Sequence, residues 1–244
     1  MLFRQIVWLV IALSFLDLTS TAKPPAHVSG RIVGGDLTTI DKVPYMVQIW
    51  CKGKFNCGGA LLTRRFVLSA AHCFKNVTPS DLFVVAGATT LSETGGIRSN
   101  VIKIMMPASF STATMDNDVA VLKLATALHG PNTQTIGLYN DNLKIGQQVE
   151  ISGWGRTSEM GDVSFQLRTI RVPVLARPQC RQQYSKYIAL TKNMFCAGLP
   201  GAKDSCSGDS GGPVVANGKI CGIVSFGVGC ARQGLPGVYT KIKE

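Results

Sequence analysis

The densest chemistry in the chain lies in the run Asp204-Ser205-Cys206-Ser207-Gly208-Asp209-Ser210-Gly211-Gly212-Pro213. A serine flanked by glycines can bring its hydroxyl, and the backbone N–H groups beside it, close to a reacting carbonyl. Glycine permits that approach because it lacks a Cβ and tolerates positive φ. Two carboxylates and a cysteine within the same run add charge and a covalent tether. Such a loop can hold a nucleophile, an oxyanion site and a charged pocket floor together. A serine hydroxyl is a poor nucleophile near neutral pH, so it needs a neighbouring base that a third group orients.

The chain has three histidines. His27 lies close to the N-terminus and His129 in a Leu-His-Gly-Pro turn. His72 sits in Leu68-Ser-Ala-Ala-His-Cys73, among small residues and beside a cysteine that can pin it. Elimination makes His72 the candidate base, although a histidine beside a cystine is more often structural. For the third group, Asp116-Asn-Asp-Val-Ala-Val-Leu-Lys-Leu124 places Asp118 at the mouth of an apolar strand. An isolated aspartate there is usually a turn or strand-end residue.

The elements that must bring these residues together read as short β segments divided by turns. They include residues 45–50, 66–70, 82–85, 101–105 and 119–124, then 148–152, 167–174, 214–215, 220–225 and 238–242. This spacing, with 26 glycines and no long amphipathic helix, favours an all-β sandwich or barrel over alternating βαβ units. Processing would leave about 210 residues, enough for one large all-β unit or two smaller ones, with Gly130-Pro-Asn-Thr133 as the candidate linker.

Arg4, an apolar run from Ile6 to Leu16 and a small-residue stretch ending at Ala22 have the form of a secretory signal peptide, residues 1–22. The run is too short for a membrane span, which needs roughly 20 apolar residues. Residues 23–31 are Pro-rich and end in Arg31, before Ile32-Val-Gly-Gly35. Cutting after Arg31 would place an α-amino group on an apolar residue, as in an activation propeptide; a plain linker is the alternative. Eight cysteines in an exported chain read as four disulfides. No Cys-x-x-Cys or His-Glu-x-x-His spacing points to a metal, and no cofactor motif is found. The net charge of +11, about +9 without the leader, is scattered. That pattern argues for a solvated basic surface and against nucleic acid or a clustered glycan site.

Arg31-Ile-Val-Gly-Gly, Ala70-Ala-His-Cys73, Asp116-Asn-Asp-Val-Ala-Val-Leu122, Gly153-Trp-Gly155, Gly208-Asp-Ser-Gly-Gly-Pro213 and Pro236-Gly-Val-Tyr239 occur in that order. With these motifs the chain resembles the trypsin-like branch of the chymotrypsin family of serine endopeptidases, from Arg31 onward. The resemblance implies an all-β fold of two six-stranded antiparallel barrels, about 32–130 and 131–244, with the active site between them. It implies Ser210 as nucleophile, His72 as base, Asp118 as the orienting carboxylate, and the N–H groups of Gly208 and Ser210 as oxyanion hole. Asp204 takes the floor of the primary specificity pocket, Gly227 and Gly237 its open walls, and Ser225 begins the edge that pairs with substrate. Asp209 is expected to pair with the freed ammonium of Ile32. The implied disulfides are Cys57–Cys73, Cys180–Cys196 and Cys206–Cys230. Cys51 and Cys221 are left to pair by exclusion, at positions unusual for the family.

Asn76-Val-Thr78 is a glycosylation sequon. Phe226 stands where the family usually has tryptophan and Ser207 where it usually has glutamine. In the loop from Gly87 to Gly96 a single carboxylate, Glu93, is too little for calcium. The usual C-terminal helix is missing after Tyr239, which points to an incomplete sequence or a core closed differently. The expected function is a secreted, monomeric endopeptidase made as a zymogen, with protein or peptide substrates cut after Lys or Arg. An activating protease and protein inhibitors would be its partners, with neither nucleic acid nor membrane. The alternative is a silent homologue that binds or regulates.

Overall fold

The computed structural model describes residues 33–242. The signal peptide, the propeptide, Arg31 and Ile32 lie outside them. A two-residue strand β1 (Asp36–Leu37) precedes β2 (Met46–Cys51), β3 (Lys54–Thr63), β4 (Phe66–Ser69), β5 (Leu82–Ala86), β6 (Ile97–Met105) and β7 (Ala120–Leu124). Strands β2 to β7 close into an antiparallel barrel in the order β2-β3-β4-β7-β6-β5. Strand β7 shows why: Ala120, Leu122 and Leu124 are buried while Val121 and Lys123 are half-exposed, the period-2 alternation of a barrel wall. Strand β2 is instead buried on both faces. Val47 and Ile49 enter the barrel core, and Met46 and Trp50 pack into outer apolar clusters. Its buried Gln48 is satisfied by the Thr90 carbonyl and by the Trp50 and Ser92 N–H groups.

The second half contains β8 (Gln148–Gly153), β9 (Arg168–Pro173), the helix α1 (Arg177–Tyr184), β10 (Met194–Ala197), β11 (Pro213–Ala216), β12 (Lys219–Phe226) and β13 (Gly237–Lys241). Together with β1, these six strands form a seven-stranded sheet, β1-β9-β8-β11-β12-β13-β10, and not a second closed six-strand barrel. The sheet curls until its ends meet at one bridge, Val174 to Ala197, with Leu175 N–H on Cys196 O at 2.8 Å and Gly198 N–H on Pro173 O at 3.2 Å. Two causes limit the closure. Pro173 has no N–H to give, and the chain turns into α1 three residues after the bridge begins. The candidate linker is no loose hinge, since the chain after it donates from Gln134 to Pro44, from Ile136 to Leu61 and from Tyr139 to Ile220. Val215, Ile220 and Ile223 join the same apolar cluster as the first barrel's interior.

All ten strands named from the sequence are present, and β1, β3 and β10 were not among them. Strand β3 carries Asn56, Gly58 and Gly59, poor strand formers on propensity. Both glycines answer to tertiary contacts. A Cβ on Gly59 would sit 2.9 Å from Val67 Cγ1, and one on Gly58 3.3 Å from Gly212 Cα in the serine loop. Close approach to that loop therefore favours glycine at Gly58, and packing on β4 favours it at Gly59.

The disulfides Cys57–Cys73, Cys180–Cys196 and Cys206–Cys230 are formed. The pairing of Cys51 with Cys221 is not. Cys51 ends β2 on the first barrel, while Cys221 is buried in β12 with its thiol on Val214 O at 3.3 Å. The two strands belong to different sheets, so exclusion by count misled. Burial pushes the Cys221 thiol up to about 12, which makes it inert. Alkylation of the folded, unreduced protein should modify Cys51 and spare Cys221, and unfolding without reductant should expose both. Mass spectrometry showing neither modified after unfolding would restore the fourth bond.

Candidate active site

Strand β4 ends at Ser69, and the chain turns through the 3₁₀ segment Ala71–Phe74, which carries His72. The Cys57–Cys73 bond ties that turn to β3, and Asn56 Nδ2 donates to Cys73 O at 3.0 Å. Thus the imidazole is held on both sides by the first barrel. Asp118 is fully buried just before β7. Its Oδ1 accepts the His72 backbone N–H at 2.8 Å and its Oδ2 meets His72 Nδ1 at 2.7 Å. With a carboxylate as acceptor, the tautomer of the neutral imidazole that fits this contact has its proton on Nδ1 and its lone pair on Nε2.

Two groups of the other half complete the grip. Ser225 Oγ donates to Asp118 Oδ2 at 2.5 Å, and Thr240 Oγ1 donates to the Asp118 carbonyl at 2.9 Å. Ser225 therefore has a contact beyond the substrate edge expected of it, and Thr240 was not anticipated. A hydroxyl in a β-rich segment carries no sequence signal that would have singled out Thr240.

The serine loop is placed by its neighbours. Gly58 N–H donates to Ser210 O at 2.9 Å. Gly211, at φ +78°, lies so close to the His72 segment that a Cβ would strike Ser69 Oγ at 2.1 Å and Ala70 N at 3.1 Å. No hydrogen bond joins Ser210 Oγ to His72 Nε2 among the described residues, and Nε2 stands 3.8 Å from Cys73 Sγ. Such bonds are commonly long without substrate and tighten in the complex.

The N–H groups along this loop divide into spent and unspent ones. Those of Asp209, Gly211 and Gly212 are committed to Cys206 O, Val224 O and Asp209 O, each at 2.9 Å. Those of Gly208 and Ser210 have no acceptor among the described residues. Gly208 sits at φ +97°, a conformation suited to glycine. Two free donors on either side of Asp209 are what an oxyanion hole requires.

Asp209 is fully buried, and burial pushes it up to about 6. Its oxygens accept the Gly155 N–H at 2.8 Å and the Cys206 N–H at 2.9 Å. The Gly153-Trp-Gly155 spacing follows from this contact, because a Cβ at Gly153 or Gly155 would meet the carboxylate at 2.2 or 2.4 Å. Its expected partner Ile32 lies outside the described residues. The next residue, Val33, is docked nearby, its carbonyl accepting the Asp204 N–H at 3.2 Å.

Asp204 is buried, and burial raises it to about 7. Oδ2 accepts the Ala231 N–H at 3.0 Å, and Oδ1 has no partner. A Cβ on Gly237 would lie 2.7 Å from Oδ1, so only glycine leaves that oxygen open. A cavity of about 190 Å³ at the serine loop is lined by Ser205, Ser207, Ser210, Ser225 and Gly227 among others, with Asp204 itself outside its lining. The nearest atom to a Cβ on Gly227 would be 3.4 Å away, so this wall is unobstructed. Cys57, His72 and Cys73 cluster with metal-like spacing, but both sulfurs are spent in one disulfide. Asn76 is exposed, two residues after the 3₁₀ turn.

The arrangement is that of a serine hydrolase built on two β-rich halves, with an oriented imidazole, a glycine-framed serine and a cavity at the serine loop. A family model described as Trypsin matches residues 32–244, and the chain belongs to that family; it is a serine endopeptidase. Over 241 residues it is 40% identical to Trypsin II-P29 of Gallus gallus, covering 96% of this chain and 94% of that one. It is 40% identical over 232 residues to Seminase of Drosophila melanogaster, covering 93% and 84%. A vitellin-degrading protease of Bombyx mori is 38% identical over 240 residues, covering 96% and 90%. Among the described residues no helix is long and apolar enough to cross a membrane.

The raised Asp204 carboxyl gives a testable pH dependence. A proton and a cationic ligand compete for it, so the Kd of a small guanidinium ligand should rise as pH falls through about 7, approaching about tenfold per pH unit. In Asp204→Ser the affinity should be weak and nearly flat. Binding to the unaltered protein that does not change between about pH 5 and 8 would contradict the assignment.

Proposed function

We propose that the protein is an exported endopeptidase, made as a zymogen, that cleaves after Lys or Arg through Ser210, His72 and Asp118. The observation that supports it most is the bonding of Asp118 to His72 together with the free N–H pair of Gly208 and Ser210. Substrate would lie along Ser225–Gly227 with its Lys or Arg side chain in the slot toward Asp204. Ser210 Oγ attacks the carbonyl as His72 Nε2 takes its proton, and the oxyanion is received by the two N–H groups. His72 then hands that proton to the leaving amine, and water releases the acyl group by the same route. Asp118 holds the tautomer throughout and stabilises the imidazolium, without itself taking the proton.

Activation is the second part of the proposal. A carboxylate as buried as Asp209 is costly to ionise without a cation, and the ammonium freed at Ile32 by cutting after Arg31 would supply one. That pairing would fix the turn from Cys206 to Gly212 on which both oxyanion donors stand. Residues 1–22 would direct export, and three disulfides suit an oxidising compartment. Substrates are proteins or peptides, with an activating protease and protein inhibitors as further partners. The protein would act as a monomer, and a glycan on exposed Asn76 is compatible with that route.

The test is to cut the secreted protein after Arg31 and treat it with a fluorophosphonate. Ser210 should be labelled, and arginyl substrates should be hydrolysed in preference to phenylalanyl ones. Arg31→Gln should leave the protein latent, so full activity in uncut Arg31→Gln would sink the zymogen reading. Asp118→Asn should lower kcat on the order of 10⁴-fold with the fold retained. A near-normal rate in that purified variant would remove Asp118 from its role.

A further inference from the structure

The loop that presents Asp118 belongs to the first barrel, yet side chains of the second half hold it just upstream. Asp116 Oδ1 accepts the Thr191 hydroxyl at 2.5 Å and Asn193 Nδ2 at 3.0 Å. The same Asn193 amide donates to Asn117 Oδ1 at 3.0 Å. Thr191 and Asn193 stand immediately before β10, and the Asn193 carbonyl accepts the N–H of Lys241, the last residue of β13, at 2.7 Å. The Asn193 N–H turns back to Thr191 Oγ1 at 3.3 Å, so the two donors are fixed relative to each other. All four side chains are half-buried.

The backbone gripped in this way is not relaxed. Met115 and Asn117 adopt φ of +54° and +56° on either side of Asp116. Asparagine tolerates that region, whereas methionine is disfavoured there. Such conformations persist where surrounding contacts over-determine them. Ser225 and Thr240 hold Asp118 from the cleft side, but neither fixes how the loop enters. The Asp116 contacts do.

Resting on the triad reading above, we propose that Asp116, Thr191 and Asn193 form an inter-barrel latch that positions Asp118. Through Asp118 the latch sets His72 of the first barrel against Ser210 of the second. Its members are positioning residues, since none reaches the cleft. Substrate binding sits elsewhere, at Asp204 and the slot. Loosening the latch should therefore slow the chemical step and leave KM almost unchanged, because small misplacements of reacting groups cost rate steeply.

The test uses the full chain, matured after Arg31. Active sites are counted by fluorophosphonate titration, and kcat and KM are measured per titrated site on a small arginyl amide. Asp116→Ala should lower kcat by about tenfold with KM within about twofold. Asn193→Ala should do much the same, and the double variant should be no slower than the singles, as expected of one unit. Asp116→Asn, whose amide oxygen still accepts both donors, should keep most of kcat. An Asp116→Ala kcat within about twofold of the unaltered enzyme, even with a lower Tm, would overturn the latch. So would an Asp116→Asn as slow as Asp116→Ala. If Asp116→Ala does not fold, Thr191→Val removes one donor alone, and an unchanged kcat there overturns the proposal equally. An unaltered enzyme that cannot be titrated would sink the triad and the latch together, whereas a titratable one with an indifferent Asp116→Ala sinks only the latch.

Discussion

A carboxylate with no exposure to water is tolerable only when donors surround it, and the donors around Asp118 come from both halves of the protein. His72 supplies its backbone N–H and Nδ1 from the first barrel, and Ser225 supplies a hydroxyl from the second half, with Thr240 on the carbonyl of the same residue. Burying this one group therefore ties the two β structures together, alongside the apolar cluster that Val215, Ile220 and Ile223 share with the first barrel. Gly58 and Gly211 set the remaining spacing, because a side chain at Gly211 would push the serine loop off the Ser69–Ala70 backbone and out of reach of the imidazole.

The segment from Asp204 to Gly212 combines several tasks in few residues. The N–H groups of Asp209 and Gly212 are spent on the loop's own turn and that of Gly211 on Val224 of β12, whereas those of Gly208 and Ser210 have no acceptor among the described residues. The carboxylates that bracket the turn, Asp204 and Asp209, are both buried and both raised by that burial. Among the described residues each accepts backbone N–H groups and neither forms an ion pair. In the proposed mechanism a substrate side chain meets Asp204 and the new α-ammonium meets Asp209. Specificity and activation then use the same physics, the relief of a desolvated negative charge, at two ends of one loop.

How much of this could be read beforehand depended on whether local sequence or distant contact decides each feature. Strand β7 announces itself through Ala120, Leu122 and Leu124, since one face alone is buried. Strand β3 does not, because Gly58 answers to Gly212 far along the chain and Gly59 to Val67 on the neighbouring strand. His72 followed from elimination, and Asp118 and Ser210 from motifs, but the hydroxyls of Ser225 and Thr240 on Asp118 required the fold. The second barrel fell short of closure at Pro173, whose missing N–H was legible while its place at the sheet's meeting edge was not. Cys51 and Cys221 show the limit of counting. Arithmetic paired them, and the strand order put them on different sheets.

The central claim is that Ser210, His72 and the Gly208–Ser210 donors converge on one reacting atom once the chain is mature. It is tested most directly by a crystal structure of the cleaved protein carrying an arginine boronate bonded to Ser210 Oγ. The account predicts one boronate oxygen within hydrogen-bond distance of both N–H groups, His72 Nε2 facing the adduct, and the guanidinium against Asp204. An adduct whose oxygens avoid those donors, or an imidazole turned away from a fully occupied Ser210, would contradict it.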